Sequence, residues 1–216
     1  MNNLKRSSRN IWTIIATGIL IVALMGSFGC SSRKEEKAPE QKEWKNLMFV
    51  NGLTQYWVQI DADTSKCGYI NPEGTFVFLP QFEAGSRFSD NGLAAVLVDG
   101  MWGYINTEGK YVVAPKFRFA MDFADNGLAA VCIDEKWGYI DTKGKYVITP
   151  QFDFANGFSS NGLAAVCVGE KWGYINSKGE HAIAFKYEDA LSFSNNGLAA
   201  VKKAGNSVTS MKKANT

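Results

Sequence analysis

Apolar and polar positions along this chain recur with a fixed period of 35 residues. The apolar run Leu-Ala-Ala-Val, preceded by Asn-Gly, begins at Leu93, Leu128, Leu163 and Leu198. The phrase Trp-Gly-Tyr-Ile begins at Trp102, Trp137 and Trp172, and a degenerate version, Cys67-Gly68-Tyr69-Ile70, stands one period earlier. Short polar segments punctuate the apolar ones throughout. Self-similarity at this spacing marks a repeat architecture, in which a unit cannot cover its own apolar face and neighbouring units cover it instead.

One copy, Asn126 to Ser160, can be read in order. Leu128 to Ile133 is a six-residue apolar run between Asn126-Gly127 and Asp134-Glu135-Lys136, a length that suits a strand rather than a helix. Trp137 to Ile140 is aromatic and β-branched, which favours a pleated surface. Asp141-Thr142-Lys143-Gly144 reads as a turn, because Asp bonds backbone two residues on and Gly supplies a positive φ. Tyr146-Val147-Ile148 is a third strand, stopped by Pro150, which cannot donate to a ladder. Phe152 to Phe158 is an aromatic, irregular connector. The expectation is three short strands and one connector per copy.

Adding 35 to each position shows what every copy keeps. The turn glycines are Gly74, Gly109, Gly144 and Gly179. Connector aromatics fall at Phe82, Phe117, Phe152 and Tyr187, then at Phe88, Phe123, Phe158 and Phe193. Pro80, Pro115 and Pro150 form a column that Phe185 breaks. The fold expected is all-β: an open array of short antiparallel meanders over 46–201, with Trp102, Trp137, Trp172, Tyr104, Tyr139 and Tyr174 as its repeated core. A small closed propeller is the alternative, less suited because its blades have four strands and longer repeats. The first copy carries five extra residues near Gln59 to Ser65, as an atypical terminal repeat does.

The ends differ in character. Lys5, Arg6 and Arg9 precede an uncharged, mostly apolar run from Ile11 to Phe28, the layout of a signal peptide over 1–29. Gly29-Cys30 resembles a bacterial lipobox, which would make Cys30 the acylated first residue of the mature protein. An uncleaved anchor is the other reading, since the run nearly reaches the roughly 20 residues of a bilayer span. Either way the repeats are expected outside the cytoplasm, tethered to a membrane of the bacterial cell envelope. Residues 30–45 alternate in charge and read as a flexible linker. Residues 202–216 lack an apolar period and read as a disordered tail. The last Leu-Ala-Ala-Val run leaves two readings open: a truncated array, or a unit running from a Trp strand to the next Leu-Ala-Ala-Val strand.

The signal takes three of the 23 basic residues with it, leaving 20 against 21 acidic ones. The mature chain therefore has no electrostatic footprint for nucleic acid. Candidate chemistry is sparse. The single His181 occupies the slot of Tyr111 and Tyr146, and no zinc spacing or Ser/His/Asp set is present. Cys132 and Cys167 share one strand slot and read as small buried hydrophobes, with a disulfide between them the lesser expectation. Asn71, Asn106, Asp141 and Asn176 read as turn residues rather than a calcium loop. No metal or cofactor is expected.

The Trp-Gly-Tyr-Ile phrase, the turn Gly, the Val-Ile-x-Pro-x-Phe strand and the Asn-Gly-Leu-Ala-Ala-Val phrase resemble bacterial WG (KWG) repeats. Lys136-Trp137-Gly138 and Lys171-Trp172-Gly173 carry the literal motif, and the resemblance covers about Asn51 to Val201. It implies an all-β repeat domain, often on exported or surface proteins, and no reaction. The expected role is a non-enzymatic interaction module for a protein or a cell-wall glycan. A carboxylate-dependent hydrolase and a purely structural spacer are the alternatives. Loops on a rigid scaffold carry recognition because their side chains are free of packing. The variable segments point to Arg118, Asp153 and Glu188 as candidate binding residues.

Overall fold

The computed structural model describes residues 47–203 and 208–212. The signal segment, Cys30 and the charged linker lie outside the described residues. Among the described residues there is no helix, and all strand pairing is antiparallel within five separate sheets. The first sheet is β1 (Thr54–Gln59), β2 (Ser65–Ile70) and β3 (Phe76–Phe82). The second is β4 (Ala84–Gly85), β5 (Leu93–Val98), β6 (Met101–Asn106) and β7 (Tyr111–Phe117). The third is β8 (Phe119–Ala120), β9 (Ala129–Ile133), β10 (Lys136–Ile140) and β11 (Tyr146–Phe152). The fourth is β12 (Phe154–Ala155), β13 (Ala164–Val168), β14 (Lys171–Ile175) and β15 (His181–Tyr187). The fifth is β16 (Asp189–Ala190), β17 (Leu198–Lys202) and β18 (Val208–Lys212).

The sheets follow one another in chain order, and none closes into a barrel. This is the open array of 35-residue β-meanders that the period predicts. Three details differ. The connector is not wholly irregular: its first residues form a two-residue strand, so a complete sheet has four strands rather than three. The Leu-Ala-Ala-Val strand pairs with the Trp-Gly strand that follows it, as in Ala130 opposite Tyr139. A unit therefore does not run from a Trp strand to the next Leu-Ala-Ala-Val strand. Finally, Val208–Lys212 pairs with β17 along its whole length, so this part of the tail is strand and not disordered.

Tight geometry explains the invariant phrase. Trp137 pairs with Phe152 and Tyr139 with Ile148, so two steps on β10 face four on β11. The surplus residues bulge over Gly138. A Cβ there would lie 2.6 Å from the Ile148 carbonyl oxygen and 2.7 Å from the Pro150 nitrogen. Only glycine admits that approach, and Pro150 brings a nitrogen without a hydrogen to the crowded spot. The following turn is closed by Asp141, whose Oδ1 accepts the N–H groups of Lys143 and Lys145 at 2.9 Å. Asn106 and Asn176 do the same in their copies. These oxygens are spent on the backbone, in keeping with turn chemistry.

Each inner sheet is buried on both faces, because its neighbours cover it from either side. Tyr139, Ile148 and Phe158 join Ala164, Val166 and Ile175 of the next sheet in one core cluster. Ala129, Val131 and Ile140, on the opposite face, join Tyr104 and Phe117 of the preceding sheet. The tyrosines are the deepest groups: Tyr69, Tyr104, Tyr139 and Tyr174 are fully buried. Each hydroxyl donates to a carbonyl of the connector that enters the next sheet, Ser86, Met121, Asn156 and Leu191 at 2.7–2.8 Å. A buried hydroxyl without a partner would be costly, so this bond keys each sheet to its successor.

Candidate functional site

The sheets share a plan, and the third and fourth depart from the second at one corner. In each inner sheet, residues opposite one another form a row near the β-hairpin end. In the second sheet the row is Ala84, Leu97, Trp102 and Phe117. In the third it is Phe119, Cys132, Trp137 and Phe152. In the fourth it is Phe154, Cys167, Trp172 and Tyr187. The middle position shrinks from leucine to cysteine while the outer position grows from alanine to phenylalanine. Such an exchange leaves the outer ring unsupported by the middle residue and exposed.

Phe119 is 50% exposed and Phe154 42% exposed, whereas Trp137 between them keeps 7% of its surface in water. The Phe119 and Trp137 rings lie parallel within 9° at 6.1 Å, and Phe154 leans on Trp137 at 5.2 Å. Phe154 then reaches Trp172 at 5.5 Å, so an aromatic ledge continues onto the fourth sheet. These rings, with Cys132 as floor and Arg118 and Glu135 at the rim, line an open hollow of about 390 Å³. A ligand pocket of ordinary size spans roughly 300–1,000 Å³ with mostly apolar walls and a few placed polar groups.

The rim is built on a second departure. Glu83, in the second sheet, accepts the N–H groups of Asp99 and Gly100 and so caps its own hairpin. Asp153 does this in the fourth sheet, accepting from Gly169 at 2.7 Å while pairing with Lys136. The Lys136 ammonium and then the Gly169 N–H hold the Asp153 carboxyl below its usual range. Arg118 occupies this place in the third sheet, and a guanidinium cannot accept from a turn. The turn it leaves uncapped has two non-glycine residues at positive φ, Asp134 at 47° and Glu135 at 62°. That conformation is strained for residues with a Cβ. Arg118 instead stands over the Phe119 ring at 6.0 Å and forms no ion pair among the described residues.

The three loop residues singled out by sequence therefore part company. Arg118 borders the hollow. Asp153 is committed to holding Lys136 and the Gly169 turn. Glu188 pairs with Lys202 at 3.5 Å. Tyr104, Tyr139, Tyr174 and Trp137 are buried, whereas Trp102 and Trp172 are only half-buried. All three Trp sit in the hairpin-end row, and Trp137 is the one flanked by both Phe119 and Phe154. Phe119 and Phe154 were missed. Both sat inside segments read as variable loop, and the signal was their replacement by Ala84 and Asp189 in the outer copies.

Reactive groups are scarce around the hollow. Burial pushes the Cys132 thiol up, away from the thiolate that a nucleophile needs. Cys67 is pushed up to about 12 by the same cause. Cys67, Cys132 and Cys167 are free thiols, so the disulfide reading is not met. His181 is on β15 against Phe185. No group of three His, Cys, Asp or Glu side chains that could hold a metal occurs among the described residues.

Solved structures align with this chain at low identity. The crystal structure of a eukaryotic initiation factor aligns with a TM-score of 0.50 and 17% identity, over 76% of this chain and 50% of that one. The chain thus spans half of that protein's length, and the likeness is one of fold. A protein of unknown function from Bacteroides caccae aligns with a TM-score of 0.35 and 16% identity, over 74% of this chain and 72% of that one. A catalytically inactive virginiamycin B lyase from Staphylococcus aureus, solved with quinupristin, aligns at 0.34 and 16%, over 74% and 60%. No curated protein matches the chain in sequence. The family described as WG containing repeat matches at 68–102, 102–137, 137–172 and 172–206, one copy for each period read above. The chain belongs to the WG repeat family.

Proposed function

We propose that this protein is a non-enzymatic interaction module, tethered through Cys30 to the cell envelope, that binds a protein or a cell-wall glycan in the hollow where its third and fourth sheets meet. The observation that carries the reading is the pair of exposed rings, Phe119 and Phe154, flanking Trp137 beside an uncapped hairpin. Large rings left half in water beside a concavity gain most when a partner covers them. The array supplies rigidity, since the core beneath Trp137 is shared by two sheets. The positive n-region and the apolar run before Cys30 support the tether.

A hydrolase finds less support. Among the carboxylates near the hollow, Asp153 is tied to the Lys136 ammonium and a turn N–H, and its lowered pKa is opposite to what a general acid requires. The test is retention of the full-length protein, solubilised in mild detergent, on envelope material. Wild type should be retained, and Phe119→Ala/Phe154→Ala should be lost while melting within a few degrees of wild type. Equal retention of the double variant would remove the hollow as the site. Metabolic labelling with a fatty acid tests the tether separately, with Cys30→Ala expected to abolish incorporation.

A further inference from the structure

The lining of the hollow discriminates between the two ligand classes left open above. A sugar ring can stack one apolar face on Phe119 or Phe154, but its hydroxyls then need partners in the same site. The hollow offers three aromatic rings, a buried thiol and only two charged side chains, Arg118 and Glu135, both at the rim. The hydroxyls of a saccharide turned into the hollow would find few side-chain partners there. An apolar side chain has no such requirement, and a large, above all aromatic, anchor seated in a pocket is a typical hot spot of protein recognition.

The rim adds a charge pattern. Arg118 replaces the carboxylate carried at the equivalent positions Glu83, Asp153 and Glu188. Its guanidinium is positioned over a ring and lacks an ion-pair partner among the described residues. Lys136, the nearest other cation along β10, is engaged by Asp153. Arg118 is thus the uncommitted cation of the site, and a planar guanidinium suits bidentate pairing with a carboxylate.

Resting on the reading of the hollow as the binding site, we infer that its ligand is a protein segment that inserts one large apolar side chain between Phe119 and Phe154 and sets a neighbouring Asp or Glu against Arg118. The hydrophobic anchor supplies affinity and the charge pair supplies register and selectivity.

Selection of a random linear peptide display library on the detergent-solubilised full-length protein tests this. Wild type should enrich peptides with a large apolar residue beside an acidic one. Phe119→Ala/Phe154→Ala should weaken the selected peptides by about ten-fold or more, the loss of one hot-spot anchor. Arg118→Glu should enrich Lys or Arg in place of the acidic residue. Selected peptides that bind the double variant as well as wild type, or an unchanged preference in Arg118→Glu, would overturn the inference. So would a wild type that enriches no peptide yet is held by protein-free peptidoglycan and released by the double substitution. That last outcome would leave the hollow as the site and make its ligand a glycan, whereas unaltered envelope retention of the double variant would remove the hollow itself.

Discussion

The second and third sheets are the same unit built twice, and they differ at one corner. Both place a Tyr at the centre, a Gly beneath a bulge and a Trp near the hairpin. In the second, Leu97 fills the middle of the row, Ala84 ends it and Glu83 caps the turn. In the third, Cys132, Phe119 and Arg118 take those places, and the corner opens into a hollow. The centre answers to stacking, which every copy must satisfy. The corner lies at the margin of the stacked area, where Cys132 and Trp137 still join the shared core while Phe119 and Arg118 face water, so three substitutions there alter the surface without altering the fold.

The largest effects belong at the centre. Tyr139→Ala removes a fully buried ring and the bond that keys the third sheet to the Asn156 carbonyl. It should cost about 3–5 kcal/mol, the range for deleting a large aromatic from a packed interior. Chemical denaturation would measure this, and a cost near that of a surface substitution would break the assignment of the tyrosines as keys. Gly138→Ala comes next. Its Cβ would meet backbone at 2.6–2.7 Å, which cannot yield as a flexible side chain would. Overpacking of this kind costs about 1–3 kcal/mol or more.

Alkaline pH offers a milder probe of the same keys. Burial pushes Tyr104 and Tyr139 far above the ordinary phenol range and Tyr174 up to about 12. The unfolded phenols ionise near pH 10, so the folded state holds these protons more tightly. The stability they contribute is fully present below about pH 10 and is lost as pH rises through the folded values. Phenolate absorbance of these residues should therefore rise together with loss of the far-ultraviolet circular dichroism signal. Their ionisation with the signal intact would show that the rings are open to water.

The smallest effect sharpens the corner. Glu135 is at φ 62° in a turn with no acidic cap. Glu135→Gly should stabilise by about 0.5–1 kcal/mol, the usual relief of a left-handed residue that carries a Cβ. Neutral or lower stability would mean the turn is not strained, and the rim would lose its claim to be a site kept for binding.

Much of the centre was legible because repetition exposes constraint. Tyr139, Gly138 and Asp141 recur or keep their chemistry in each copy, and every copy needs the same core, bulge and turn. The two-residue strands escaped notice, since Phe119–Ala120 or Asp189–Ala190 is too short for any alternation to register. β18 escaped because Val-Thr-Ser-Met-Lys lacks the apolar phrase that marks the equivalent strand elsewhere. The corner was half visible. Arg118 stood out as a variable position, but the fact that Phe119, Cys132, Trp137 and Phe154 meet depends on register within one sheet and stacking on the next.

The central claim is that the third-sheet corner binds while the rest of the array supports it. Phe119→Ala/Phe154→Ala should be set against Val77→Ala/Leu79→Ala, which removes two comparably exposed apolar side chains from β3 of the first sheet. The measurement is the dissociation constant for envelope material, taken for both variants beside their melting temperatures. The corner pair should weaken binding by about ten-fold or more, as hot-spot residues do, and the β3 pair should leave it unchanged. Equal loss in both variants, or loss confined to the β3 pair, would contradict the account.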